Sequence, residues 1–297
     1  AGRYLADSFV RIPPANDSAF LETVLDICRR QTIDLLIPIV DYEFEPLSKN
    51  TKRFLAEGTR VVISSPQAIA TCADKQATVE WLKSHGLPVA AIYSREDVRS
   101  NHAPFPLFVK PRTGGRASLG AQRVDNEREL EVACNKLADP LIMEFIDGEE
   151  FTVDTLSDFA GRFIAAMPRL RIETKAGISV KGVTVRSPEM TEIVKKITEA
   201  LPIIGPANIQ CFRRRDGSIV VSEVNPRFAA ATVLSIAAGF NSPLLLIKLA
   251  SGQSVEASML TMRYGVTMLR YVQEVFVFDD GSIVTDPWTN VADRKGQ

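Results

Sequence analysis

The chain has 297 residues, 45% of them hydrophobic and 24% charged, enough for two or three compact lobes and too ordered a composition for a small peptide module or a disordered regulator. Its 35 basic and 36 acidic residues leave a net charge of −1, and no segment is basic enough to neutralise a polyphosphate backbone, so nucleic acid is not an expected partner. Cys28, Cys72, Cys134 and Cys211 stand singly, without the close pairs of a zinc or redox motif, and no apolar run approaches the roughly 20 residues of a bilayer span; a cytoplasmic protein without a membrane partner is expected.

The chain opens on Ala1 rather than Met and reads as the remainder of an N-terminal α/β unit. Over Phe20–Arg30 the apolar residues Leu21, Val24, Leu25 and Cys28 recur at helical spacing, and the apolar run 35–40 follows as a buried strand. The pattern repeats with Phe54 and Leu55 on a helix, a strand at 60–63 and a turn at Ser65-Pro66. Residues 1–73 therefore predict a parallel α/β lobe. Asp74 caps a helix carrying Val79, Trp81 and Leu82, with Gly86 to end it and Pro88 beyond. A second lobe, 74–145, takes strands at 89–93, 107–110 and 141–146 and a helix at 126–137. The third, 146–297, alternates long strands with helices at 190–200 and 243–250 and closes in an antiparallel hairpin around Asp279-Asp280-Gly281. Val275, Phe276, Val277 and Phe278 read there as core cover, with a homodimer contact as the alternative.

Chemistry concentrates in three stretches. In 208–227, NIQCFRRRDGSIVVSEVNPR, Asp216-Gly217 predicts a two-residue hairpin turn. Pairing outward sets Arg215 opposite Ser218, Gln210 opposite Glu223 and Asn208 opposite Asn225, so four oxygen-bearing side chains share one face. Hard divalent cations take one or two carboxylates completed by amide oxygens, water and phosphate, and Glu223 and Asn225 fit that need; a solvated sheet face is the plainer reading. Arg227, leaving the strand after Pro226, can set a forked guanidinium beside such a cation and grip a phosphate.

The second stretch is Lys110-Pro111 at the end of an apolar strand, followed by TGGRASLG at 113–120. Backbone N–H groups of such a run can wrap anionic oxygens beside a lysine, or simply form a hairpin loop; the spacing is not that of a Walker A loop. In the third, IMEFIDGEEFTVD at 142–154, a strand ends at Glu144 and an acidic pair follows a glycine turn, offering backbone groups to a purine edge and a carboxylate to a ribose. The two histidines, His85 and His102, read as surface residues, and neither a G-x-S-x-G elbow nor a G-x-G-x-x-G after the first strand occurs, which weakens hydrolase and dinucleotide-binding readings.

In this order the stretches resemble the signatures of the ATP-grasp superfamily, most closely the synthetase units of the carbamoyl-phosphate synthetase large chain. The resemblance covers nearly the whole chain: DLLIPIVDYEFEPL is similar to the tail of the pre-ATP-grasp lobe, and ADKQATVEWLKSHGLPV, LFVKPRTGGRASLG, IMEFIDGEEFTVD and VVSEVNPRF to nucleotide-binding signatures. It implies an α/β protein of α+β lobes, an ATP-grasp fold behind a truncated, Rossmann-like pre-ATP-grasp lobe. It also implies ATP and Mg2+ as cofactors, with Mn2+ as a substitute.

By the same resemblance Lys75 and Lys110 contact ATP phosphates, and Gly115, Ser118 and Gly120 belong to a flap that closes over the triphosphate. Glu144, Phe145 and Ile146 hold the adenine and Glu150 the ribose. Gln210, Glu223 and Asn225 surround magnesium, and Arg227, with Lys110 and Asn225, acts on the transferring phosphoryl group. Arg169, Arg171 and Lys175 are candidate anchors for an anionic substrate, or a charged strand edge. Ala117 departs from a glycine usual in the flap, and Phe228-Ala229-Ala230 from the glycines or second arginine that relatives often carry after this arginine. The activity implied is an ADP-forming ligase joining a small carboxylate to an amine through an acyl phosphate. Phosphoryl transfer to bicarbonate, and a nucleotide-binding module without chemistry, are the alternatives.

Overall fold

Helix α1 (Phe20–Arg30) forms as its apolar spacing dictates, with Phe20, Val24 and Cys28 buried on one side. It is the first α-helix of the computed structural model, which describes residues 2–114 and 119–285. Strand β1 (Leu35–Leu36) pairs in parallel with β2 (Arg60–Val61) across α2 (Phe44–Lys49) and α3 (Thr51–Ala56). Both strands are shorter than their apolar runs suggest; after Leu36 the chain meets Pro38, which has no N–H to give to a ladder. Ser65-Pro66 is not a turn but the start of α4 (Pro66–Ala73). The Ser65 hydroxyl accepts from the Ala68 N–H at 3.2 Å, and Pro66 occupies the first turn, where no intrahelical donor is needed. Asp74 then caps α5 (Lys75–Ser84), accepting from the Gln76 and Ala77 N–H groups at 2.9 and 3.2 Å.

Next come β3 (Ile92–Tyr93), α6 (Arg95–Arg99), β4 (Leu107–Pro111), β5 (Gln122–Val124), α7 (Glu127–Asn135) and β6 (Pro140–Glu144). The strands form an antiparallel sheet in the order β3-β6-β4-β5. Leu107, Val109 and Ile142 pack on Leu130, Ala133 and Cys134 of α7, so Phe108 and Lys110, out of phase with them, face the other way.

The rest of the chain supplies β7 (Gly148–Ser157), β8 (Phe163–Lys175), β9 (Ile178–Thr184), α8 (Pro188–Ala200), β10 (Gly205–Arg214), β11 (Ile219–Asn225), α9 (Thr232–Ala237), α10 (Ser242–Ala250) and β12 (Thr267–Leu269). Its strands make one antiparallel sheet, β11-β10-β7-β8-β9-β12. Phe151, Val153, Ile209, Cys211 and Val224 bury one face against Met190, Val194 and Ile197 of α8. Because side chains alternate, Glu150, Thr152, Asn208, Gln210 and Asn225 fall on the opposite face, which is polar.

The β10–β11 hairpin departs from expectation twice. Its loop has three residues, Arg215-Asp216-Gly217: the Arg214 N–H donates to the Ser218 carbonyl, and Gly217 sits at φ +86°. Ser222 then bulges from β11 between the Cys211↔Val221 and Gln210↔Glu223 pairs. The two one-residue shifts cancel, so Gln210 lies opposite Glu223 and Asn208 opposite Asn225. The C-terminal pair β13 (Phe276–Val277) and β14 (Ile283–Val284) uses the same loop chemistry: the Asp280 carboxylate accepts from the Ser282 N–H as Asp216 does from Ser218. This pair forms a separate two-stranded sheet, and Phe276, Val277 and Phe278 are each at least 42% exposed, so they do not cover the core as expected.

His85, stacked on Trp81 with ring centroids 4.0 Å apart, and His102 are exposed, and the four cysteines are free and buried. Among the described residues no helix is long and apolar enough to cross a membrane.

Candidate functional site

A cavity of about 1060 Å³ lies between the polar faces of the two larger sheets. Phe108 and Lys110 approach from β4, Glu150 from β7, Gln210 from β10 and Glu223 from β11, while Asp74 and Lys75 stand at the capped end of α5. The N-terminal lobe reaches the same space with Asp41 and Tyr42.

Lys110 is only 8% exposed, and its ammonium lies 3.5 Å from the carbonyl of the bulged Ser222. Burial pushes its pKa below the ordinary lysine value; Glu223 opposes that shift and Lys75 adds to it. Lys75 Nζ is 3.7 Å from Glu223 Oε1. Glu150 accepts from Arg171 Nη1 at 2.7 Å, yet burial raises its pKa, with the Arg171 charge pulling it down and Glu223 pushing it up. The buried Nε of Arg171 has no hydrogen-bond partner among the described residues.

The amide of Gln210 lies between Glu223 Oε2 and Arg171 Nη1, 3.2 Å from each. Nitrogen toward Glu223 and oxygen toward Arg171 satisfies both ends; the reverse rotamer aims an oxygen at an oxygen, which a cation between them would favour. Asn225 Nδ2 donates to Asn208 Oδ1 at 3.4 Å, and Asn208 Nδ2 to the Arg227 carbonyl at 2.9 Å, fixing the end of the ribbon. Among the described residues no group of three or more His, Cys, Asp or Glu side chains is placed to share a metal. A set of one carboxylate and two amides, as Glu223, Gln210 and Asn225 would supply, would suit a hard cation that completes its shell with water and phosphate, and would not suit zinc.

Several expected residues are placed otherwise. The Glu144 carboxylate is taken by Arg214 and by the Ala91 N–H at 3.1 Å, so it braces the wall beside Phe145 and Ile146, which border the cavity. Arg227 borders it too, but its Nε donates to Asp41 Oδ1 at 2.6 Å and its Nη2 to Oδ2 at 3.4 Å. Gly115, Ala117 and Ser118 lie outside the described residues. Gly120 does not border the cavity, and its φ of +76°, in the left-handed region, is what favours glycine there.

The three expected anchors do not converge as free groups. Arg169 is 2% exposed and closes its fork on Asp154 at 2.8 and 2.7 Å, with Ser235 as a further donor to that carboxylate. A buried pair of this kind is a structural commitment rather than an open anchor. Arg171 is held by Glu150 and the Gly177 carbonyl, and Lys175 is exposed outside the cavity. Sequence reasoning missed Asp41, Asp154 and Arg112; the acidic Asp41 just after an apolar run was the one available signal.

The description "ATP-grasp in the biosynthetic pathway with Ter operon" matches residues 136–274, and "PylC-like, N-terminal domain" matches residues 1–62. The carbamoyl phosphate synthase large chain of Thermotoga petrophila is 27% identical over 93% of this chain, which spans only 26% of that protein's length. The biotin carboxylase domain of the Hydrogenobacter thermophilus 2-oxoglutarate carboxylase, solved as a dimer with MgADP, ADP and bicarbonate, superposes with a TM-score of 0.72 at 15% identity, over 97% of this chain and 75% of that one. An L-amino acid ligase from Bacillus licheniformis does so at 0.65 and 24% identity, over 92% and 71%. The fold and its polar ribbon, taken with these likenesses, support the resemblance to the ATP-grasp superfamily. Within that superfamily the likeness is to the carbamoyl phosphate synthase large chains.

Proposed function

We propose that the chain carries the site of an ADP- and phosphate-forming ligase, in which a small carboxylate is activated as an acyl phosphate and captured by an amine. The observation that carries this reading is the meeting of Gln210, Glu223 and Asn225 on one ribbon with Lys75 and Lys110 from the facing elements. The kinship to carbamoyl phosphate synthase and the likeness to an L-amino acid ligase support it.

Gln210, Glu223 and Asn225 would hold Mg2+, or Mn2+ in its place, which supplies charge neutralisation at the nucleotide phosphates. Lys75 and Lys110 meet phosphate oxygens, and the buried Lys110 charge acts there more strongly than it would in water. Phe145 and Ile146 form the wall for the adenine of ATP, with the backbone at Glu144, and Glu150 faces the ribose. Gly115 and Ser118 are assigned to the triphosphate by resemblance of their sequence alone. Arg227 turns its fork from Asp41 to the transferring phosphoryl group. The substrate carboxylate attacks the γ-phosphorus in line and ADP leaves; the amine then adds to the acyl carbon, phosphate departs, and one proton is released. With the chain divided into lobes at 1–73, 74–145 and 146–297, this chemistry would fall between the second and third.

ADP release in the presence of Mg2+ with pooled carboxylates and amines tests the proposal. Turnover is expected only when both pools are present, and Glu223→Ala is expected to lower it by at least about 100-fold. Undiminished turnover in that variant removes the proposal. Release that depends on bicarbonate and not on amine would favour phosphoryl transfer to bicarbonate, a reading to which the carbamoyl phosphate synthase kinship lends weight.

A further inference from the structure

Arg112 does not border the cavity, yet it ties together two elements that shape it. Its Nε donates to both Asp74 oxygens at 2.8 and 3.0 Å, and its Nη2 to Oδ2 at 2.6 Å. Oδ1 of the same carboxylate caps α5, taking the Gln76 and Ala77 N–H groups; Oδ2, among the described residues, is held by Arg112. The Arg112 backbone closes the arrangement. Its N–H donates to the Asp139 carbonyl at 2.9 Å, and its own carbonyl accepts from the Lys75 N–H at 3.1 Å and from Lys75 Nζ at 3.5 Å. Lys75 is the first residue of α5, and its side chain is only 11% exposed.

The chemistry of the pair makes this more than a surface contact. A guanidinium fork on a carboxylate fixes both partners in one plane, which a point charge does not. The Arg112 hydrogen bond is also the main reason that Asp74 is held below the usual carboxylate range, so the cap stays charged. Arg112 stands at the foot of the glycine-rich segment that begins at Thr113, so it joins that foot to the helix end from which Lys75 projects.

We infer that Arg112 is a positioning residue: through Asp74 and its own carbonyl it aims the Lys75 ammonium into the cavity, where that ammonium discriminates nucleotides by their phosphate charge. The second half of this statement rests on the reading of Lys75 as a phosphate ligand given above; the first half does not.

Calorimetric titration of Arg112→Gln, Lys75→Ala and the double variant with Mg-ATP and with adenosine tests it. Arg112→Gln is expected to weaken Mg-ATP about tenfold, the factor of one charge-assisted hydrogen bond, and to leave adenosine affinity unchanged. The double variant is expected to bind no more weakly than Lys75→Ala alone, because the two residues act through one group. Losses that multiply in the double variant, or undiminished Mg-ATP binding by Arg112→Gln, overturn the inference. A second measurement needs no nucleotide: acetylation of Lys75 by limiting acetic anhydride, mapped by mass spectrometry, is expected to rise about threefold in Arg112→Gln as the side chain is freed. Unchanged reactivity overturns the inference by itself, whereas a wild-type protein that binds no nucleotide removes the functional reading and leaves the acetylation result to decide the positioning.

Discussion

Lys110 shows what a buried site residue does to the protein that carries it. The unfolded chain holds this lysine near its ordinary value of 10.5, and burial lowers it in the folded protein. Between the two values the unfolded chain binds more protons, so stability rises with pH through that window, and below it the cost of burying the charge is felt in full. Lys110→Met is therefore expected to be more stable than the wild type near about pH 7, on the order of 1 kcal/mol, and to lose Mg-ATP binding. The stability gap should close as pH rises toward 10.5. Denaturant titrations across that range check the sign; a variant less stable at neutral pH would mean that the bonds of Lys110 outweigh its desolvation. Lys110, Glu223 and Asn225 were legible as candidates from residue type and spacing. The partners of Arg169 and Arg227 were not, since Asp154 and Asp41 reach them only through the folded sheet and across the lobes.

At the scale of the element, the β10–β11 hairpin explains why the register at the site could be anticipated through a wrong turn. An Asp-Gly pair supports either a two-residue or a three-residue loop, and local sequence does not choose between them. Here the longer loop and the Ser222 bulge offset one another, which returns Glu223 to Gln210. Deletion of Ser222 would leave a regular ladder with that pairing kept, but without the carbonyl that Lys110 approaches. The deletion variant is expected to fold, by circular dichroism, and to bind Mg-ATP several-fold more weakly, roughly the effect of one lost hydrogen bond. Failure to fold would show that the bulge sets the twist of the whole ribbon. Ser65-Pro66 carries the same lesson: the dipeptide serves a turn as well as a helix start, and the apolar residues Ile69 and Cys72, buried beneath it, select the helix.

The whole molecule closes its site with parts far apart in the chain. The two sheets, the α5 terminus and the Asp41 side chain meet around one cavity, so a nucleotide there would bridge all of them. A ligand that binds only the folded form stabilises it by mass action, about 2.7 kcal/mol at 100 times its dissociation constant. Mg-ATP is therefore expected to raise the melting temperature, and excess EDTA to return it to the ligand-free value; no change with saturating Mg-ATP would count against a nucleotide site in this cavity.

By itself the sequence determined the period-two alternation of the long strands, the capped helices and the order of polar clusters along the chain, because each depends on neighbours a few residues apart. Tertiary structure alone decided which charges are open and which are spent. Arg169 is sealed on Asp154, Glu144 is braced by Arg214, and Phe276 to Phe278 are left in water, because pairing and burial depend on what arrives from distant segments when the sheets pack.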